Sequence, residues 1–106
     1  MQIELITPQE YQTLLDIQKK YKILTYQNKG YDCINPELLK AEDKKAIKEI
    51  EKLLEKHIKG FREFQNFKLD MNDRVRIRFQ YNYGYDNGTD FKGVGYILVD
   101  QLLNGF

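Results

Sequence analysis

The alternation of apolar and polar residues over 74–83 constrains the fold of this chain more than any other feature of its sequence. Successive side chains of a strand point to opposite faces of a sheet. In RVRIRFQYNY one face therefore receives the mainly apolar set Val75, Ile77, Phe79, Tyr81 and Tyr83, and the other receives Arg74, Arg76, Arg78, Gln80 and Asn82. We predict a strand over 74–84 with one face in the core and the other towards solvent.

Two more strands are predicted to flank this one in an antiparallel meander. They span residues 62–69 and 91–99. Residues 71–73 (Met-Asn-Asp) and the Gly-, Asn- and Asp-rich stretch around 86–88 have the composition of tight turns. A three-residue first loop would place Phe67 opposite Ile77, so the apolar residues of both strands would share one face of the sheet.

A first helix is predicted to begin after Thr7. This residue can act as an N-cap, a proline follows at the first helical position, and Glu10 completes a capping box. The apolar periodicity that follows predicts an amphipathic helix over 8–21. Residues 2–6 are predicted to form a short strand, and residues 22–34 a small hairpin.

A second helix is predicted over 41–59, after a short turn at 37–40, because apolar residues recur there at helical spacing. Gly60 is the predicted C-cap. The opposite face carries lysines at every fourth position, which we call the lysine stripe: Lys44, Lys48, Lys52 and Lys56. The ordinary interpretation is a solvated helix face; the functional one is an electrostatic contact with phosphates or with an acidic protein.

These elements predict a single compact α+β domain over residues 1–106. Its antiparallel sheet would combine the C-terminal three-strand meander with an N-terminal strand or hairpin, and two helices would cover one face. Asp100 is predicted to cap a last short turn. The glycines of Gly93-Val94-Gly95 lie inside a predicted strand, so they indicate a bulge or a close approach of another element.

The sequence offers little material for catalysis or metal binding. It contains one histidine and one cysteine, too few for a zinc site without carboxylates. His57 falls on the apolar face of the second helix and is interpreted as a core residue whose ring bonds to a backbone or hydroxyl partner. Nothing in the sequence signals a contact between His57 and Cys33. We therefore expect no enzymatic activity, no metal and no cofactor.

Charge and hydropathy limit the classes of partner and the cellular location that we expect. The net charge of +1 is too low for a generally polycationic nucleic-acid binder. No apolar run approaches the roughly 20 residues of a membrane helix, and no secretory signal is visible at residues 1–10. A cytoplasmic protein without membrane contact is expected. The many Lys, Ile, Asn and Tyr residues suggest a low-GC bacterium, or a phage or mobile element of one.

Residues Arg74, Arg76 and Arg78, the arginine row, are the first candidate for a contact surface. The chain has thirteen lysines and four arginines, and three of those arginines lie in this row. Arginine presents a planar fork of donors suited to carboxylates and phosphates, and it is enriched at protein interfaces. Tyr85, at the end of the strand, is a candidate aromatic anchor. The alternative is a solvated sheet face whose arginines are held by polar neighbours such as Asp70.

Two functional hypotheses follow. The first is a small non-enzymatic protein that docks on an acidic surface of another protein through the arginine row and Tyr85, as an accessory or inhibitor encoded by a phage or mobile element. The second is a nucleic-acid-binding module that uses the lysine stripe and the arginine row. Neither fixes the oligomeric state.

Overall fold

The computed structural model describes residues 3–25, 36–86 and 89–105. Its centre is an antiparallel sheet with strand order β1-β2-β3, where β1 is Phe61–Leu69, β2 is Val75–Asp86 and β3 is Thr89–Leu98. The predicted C-terminal meander is therefore confirmed, with strand ends within three residues of the expected ones. Because β2 pairs with a neighbour on both sides, it is the central strand.

The turn between β1 and β2 sets the predicted register. Asp70 accepts backbone hydrogen bonds from Asn72 and Arg74 through Oδ1, at 2.8 and 2.9 Å, and Asp73 adopts a left-handed conformation with φ 57°. Short polar side chains bond their own backbone in this way at tight turns. The apolar pairs follow as predicted: Phe67 lies opposite Ile77, and Leu69 lies opposite Val75.

Three helices accompany the sheet in the described part of the chain: α1 (Pro8–Lys20), α2 (Ala41–His57) and α3 (Val99–Asn104). The predicted capping box opens α1, since the Glu10 amide donates to the Thr7 hydroxyl at 3.1 Å and the Thr7 amide donates to Glu10 Oε1 at 3.0 Å. Helix α2 packs on β1, and α3 packs on β2 and β3. The α+β class is therefore confirmed, with α3 as a third helix.

One core lies between the helices and the sheet. The sheet contributes a fully buried set of side chains: Phe67, Ile77, Phe79 and Ile97. Helices α1 and α2 add Leu14, Ile50 and Leu54, each with no exposed area. Gly95 belongs to this face of β3, where a Cβ atom would lie 2.7 Å from the Phe79 ring. The predicted close approach at Gly95 is therefore made by an aromatic ring of the neighbouring strand.

Several local details differ from expectation. The N-terminal strand is reduced to one antiparallel bridge between Ile3 and Ile58, and residues 22–24 form a 3-10 turn before a single parallel bridge from Thr25 to Phe67. The rest of the predicted hairpin, including Cys33, lies outside the described residues. A 3-10 turn also precedes α2, over Pro36–Leu38.

Two predicted caps are wrong. Ile58 caps α2, and Gly60 lies two residues beyond with φ +80°. A Cβ atom at Gly60 would contact the carbonyl oxygen of Asn82, so the glycine permits a close backbone approach between β1 and β2. Leu98, not Asp100, is the N-cap of α3. Asp100 instead accepts a hydrogen bond of 2.6 Å from the Tyr11 hydroxyl, which raises the Tyr11 pKa.

Candidate functional site

The face of the sheet turned away from the helices carries the even-numbered β2 residues from 76 to 82. We call this side, Arg76, Arg78, Gln80 and Asn82 with their cross-strand partners on β1 and β3, the open face. All four β2 side chains are half-buried, because both neighbouring strands flank them. A central strand between two paired neighbours is a rigid support, so the positions of these side chains are well defined.

Arg74 does not belong to this surface. Strand β2 begins at Val75, and Arg74 lies at the end of the turn that precedes it. Its Nε donates to Asp70 Oδ2 at 2.8 Å, and its backbone N–H is the main cause that lowers the Asp70 pKa. The predicted arginine row therefore contains two strand arginines, and its first member is occupied in closing the turn.

Arg78 lies beside an exposed aromatic ring. It is opposite Tyr96 of β3, and its guanidinium carbon lies 5.6 Å from the centre of the Tyr96 ring. Such a cation–π contact contributes about 0.5–1 kcal/mol at an exposed site. The Tyr96 side chain is nevertheless 49% exposed. The Tyr96 ring therefore reaches solvent, with the half-buried guanidinium of Arg78 beside it.

The predicted aromatic anchor and the observed one are different residues. Tyr85 pairs with Asp90 near the end of β2, and its side chain lies outside the described part of the structure. Tyr96 takes the position beside the arginines because a register shift separates the pairs Asn82–Lys92 and Gly84–Phe91. An unbroken register from the β2–β3 turn would have placed Ile97 there instead.

The open face is basic and contains one apolar strip. Its paired positions include four cations and one carboxylate: Lys68, Arg76, Arg78 and Lys92 against Glu63. Lys68, Lys92 and Glu63 are exposed. Val94, opposite Gln80, is 42% exposed and continues the apolar surface of Tyr96. A chain of net charge +1 thus concentrates positive charge around exposed apolar groups on one face.

Some polar atoms near this surface are buried without a hydrogen bond from the described residues. They include Gln65 Oε1 and Asn82 Oδ1. Gln65 lies at a bulge of β1 between Phe64 and Asn66, and such a buried unpaired amide oxygen costs about 1–3 kcal/mol. The open face is therefore not optimised for stability, in contrast with the apolar core.

The lysine stripe lies on the other side of the molecule. The residues of α2 that pack into the core are Ala46, Ile50, Leu53 and Leu54, and all four lysines of the stripe are exposed. In the described part of the chain no ion pair engages any of the four. Because α2 covers the core face of the sheet, the stripe and the open face point in opposite directions. One duplex cannot contact both surfaces easily.

His57 joins the N-terminal segment to the end of α2. Its Nδ1 lies 3.2 Å from the Glu4 carbonyl oxygen and its Nε2 lies 3.0 Å from Glu10 Oε2. A backbone partner was predicted, and a carboxylate was not. The Thr7 amide, followed by His57, lowers the Glu10 pKa. Both contacted atoms are hydrogen-bond acceptors. This arrangement holds two segments together and gives each ring nitrogen a partner within the fold.

Over 3–25, 36–86 and 89–105, no helix is long and apolar enough to cross a membrane. The same ranges contain no group of three or more His, Cys, Asp and Glu side chains placed to hold a metal ion. No protein-family model, curated protein or solved structure matches the chain.

Proposed function

We propose that this chain is a small binding protein that docks on an acidic surface of another protein through its open face. The observation that carries the proposal is the pairing of Arg78 with the half-exposed Tyr96 ring, beside Arg76, on a rigid central strand. Interface centres are enriched in tyrosine and arginine, and the residues around them exclude water from the contact.

Charge complementarity specifies the partner. Four cations against one carboxylate at the paired positions would accelerate association with an acidic surface and select against a basic one. Val94 and Tyr96 would supply the apolar contact that charge alone does not. The partner would then present carboxylates around a small apolar patch.

The mode of action is occupation of a functional surface of the partner, without a chemical reaction. The composition is rich in Lys, Ile, Asn and Tyr, which suggests an origin in a low-GC bacterium. The proposal therefore extends to a cytoplasmic accessory or inhibitor protein that is encoded by a phage or mobile element of such a bacterium. Arg76, Arg78 and Tyr96 form the proposed contact. Arg74 is left out because Asp70 holds it.

A second candidate is binding of single-stranded nucleic acid by the same face. An arginine beside an exposed tyrosine ring is a common composition for surfaces on which bases stack. The lysine stripe would not take part, since it faces away. The carboxylate of Glu63 and the exposed Val94 within the open face fit a protein surface better than a row of phosphates.

Affinity capture with matched charge variants tests the proposal. The wild-type chain, Arg76→Gln/Arg78→Gln, and Lys48→Gln/Lys52→Gln would each be used as bait in nuclease-treated and untreated lysate of a low-GC bacterium. Both variants lose two positive charges, one pair from the open face and one from α2. We expect a stoichiometric protein that resists nuclease, binds the α2 variant, and binds the open-face variant at least about tenfold more weakly.

Two outcomes would contradict this. Equal capture by both variants would mean that the open face is an ordinary solvated surface. Captured material that disappears with nuclease, and whose affinity falls steeply with salt, would favour the nucleic-acid candidate.

A further inference from the structure

The two edges of the sheet are protected to different degrees. At the β1 edge, Thr25 bridges to Phe67, and the Phe64 amide donates to Glu51 Oε2 of α2 at 3.0 Å. At the β3 edge, the described residues supply no such partner: every backbone hydrogen bond made by residues 89–98 to another strand goes to β2. An unpaired edge is a template for another strand.

Strand β3 has the features that favour such pairing. Each of its residues from 89 to 98 has a partner on β2, so β3 contains no bulge of its own. It contains no proline, and Val94 and Tyr96 remain 42% and 49% exposed. Natural edge strands avoid pairing through bulges, prolines, short length or charged side chains, especially lysine; of these, β3 has only charged residues, among them the exposed Lys92.

We propose that two copies of this chain pair antiparallel through β3, about a two-fold axis at Val94. An axis at Val94 pairs residues 90–98 of both copies, which is nine of the ten residues of Thr89–Leu98. Because an axis perpendicular to the sheet keeps the same face upwards, open-face residues meet open-face residues. The two sheets then join into one continuous antiparallel sheet.

The sequence of β3 is self-complementary in this register. Val94 meets its own copy, and Lys92 of each chain lies opposite Tyr96 of the other, where the ammonium group can contact the ring face. Gly93 meets Gly95, so no side chain is crowded on the core side. No like charges face each other directly, a condition that pairing with an arbitrary strand would not meet in general.

This pairing goes beyond the docking role and would extend it. The open faces of the two copies would lie side by side on one sheet. Two linked surfaces can bind one bivalent partner far more tightly than either surface alone. The dimer does not depend on the proposed acidic partner, because its contacts are within β3.

Sedimentation equilibrium of the purified chain, from low micromolar to millimolar concentration, tests the proposal directly. We expect a reversible dimer. Val94→Lys would put two ammonium groups opposite each other at the axis and weaken the dimer by about tenfold or more. Leu69→Lys is the matched control, because Leu69 is also 42% exposed but lies on β1; this variant should dimerise like the wild type.

Charge rescue separates a lost interface from a damaged fold. Val94→Lys and Val94→Glu should each be weakened, the latter because two carboxylates would meet, while an equimolar mixture should associate as a heterodimer. A wild-type chain that stays monomeric at the highest concentration would overturn the proposal. So would a Val94→Lys variant that dimerises normally, or a mixture that fails to associate.

Discussion

The two faces of the central sheet differ in what their residues contribute, although both are built from alternate residues of the same strands. On the core face Ile77 and Phe79 have no exposed area, whereas on the open face Val94 and Tyr96 are 42% and 49% exposed. The core face consists of apolar side chains in contact; the open face concentrates cations and leaves the Asn82 amide oxygen unpaired by the described residues. Stability and the proposed binding therefore depend on alternate positions, so variants should change them separately.

The largest contrast is expected between Phe79→Ala and Tyr96→Ala. Phe79 is fully buried, and its ring centroid lies 5.9 Å from those of Phe61 and Tyr81. Its removal should lower the free energy of unfolding by about 3–5 kcal/mol. Tyr96→Ala should cost less than about 1 kcal/mol, because it removes an exposed ring and one cation–π contact. Urea unfolding followed by circular dichroism measures both, and similar losses would contradict the distinction between the faces.

A methyl group added to β3 should also distinguish the faces. Gly95→Ala would place its Cβ 2.7 Å from the Phe79 ring, so the free energy of unfolding should fall by about 1–3 kcal/mol through overpacking. Combining Gly95→Ala with Phe79→Leu should recover part of the loss, since the smaller side chain leaves room. An unchanged free energy of unfolding in Gly95→Ala would mean that the Phe79 ring has space to move.

The helical layer that covers the core face should respond to acid through Glu10. The Thr7 amide and His57 lower its pKa below the ordinary value of 4.5, so the ionised form is favoured in the folded state. Its contribution is present above pH 4.5 and is lost as the pH falls through the lowered folded pKa. Glu10→Gln keeps a capping side chain but cannot ionise. Its free energy of unfolding should therefore fall less than that of the wild type between pH 5 and pH 3, by about 1 kcal/mol or less. Equal acid sensitivity of the two chains would contradict this role.

The smallest expected effect is a gain in stability at the bulge of β1. Gln65→Met removes an amide whose Oε1 is buried without a hydrogen bond from the described residues. Because the unpaired oxygen destabilises the folded state and methionine has a similar shape, the free energy of unfolding should rise by up to about 1 kcal/mol. Denaturant midpoints of the two chains would show it. A loss of stability would mean that the amide makes a favourable polar contact after all.

The strand pattern predicted much of the fold, and the irregularities account for what it missed. Strict alternation over 74–83 and the turn residues at 71–73 set the β1–β2 register, since a one-residue slip would have exposed Phe67 and Ile77. The capping box at Thr7 was predicted for a similar reason, because its residues bond within four positions of one another. Local signals of this kind do not depend on the rest of the chain.

The candidate site depends on contacts that the sequence does not display. Tyr96 lies opposite Arg78 only because a register shift between Asn82 and Gly84 moves β3 by one residue. Gly84, a glycine inside the strand, is a sequence signal that could have indicated a bulge there. Arg74 was assigned to the arginine row because it continues the alternation, yet its ion pair with Asp70 holds it in the turn. Asp70 was named as a possible neighbour, but the alternation alone could not decide between the two roles.

Side-chain partners far apart in sequence were missed for the same reason. Asp100 was predicted to cap the last helix, but it accepts a hydrogen bond from Tyr11 on α1. His57 was predicted to have a backbone partner, and the carboxylate of Glu10 is its second partner. Both contacts form only when helices that are distant along the chain pack together, so sequence spacing cannot predict them.

The most direct test of the central claim measures binding and stability on the same variant. Arg76→Gln/Arg78→Gln and wild type would be compared by titration against the protein captured from lysate and by urea unfolding. We predict affinity at least about tenfold lower in the variant, with the free energy of unfolding changed by less than about 1 kcal/mol. Unchanged affinity, or a loss of affinity explained by an unfolded variant, would contradict the assignment of binding to the open face.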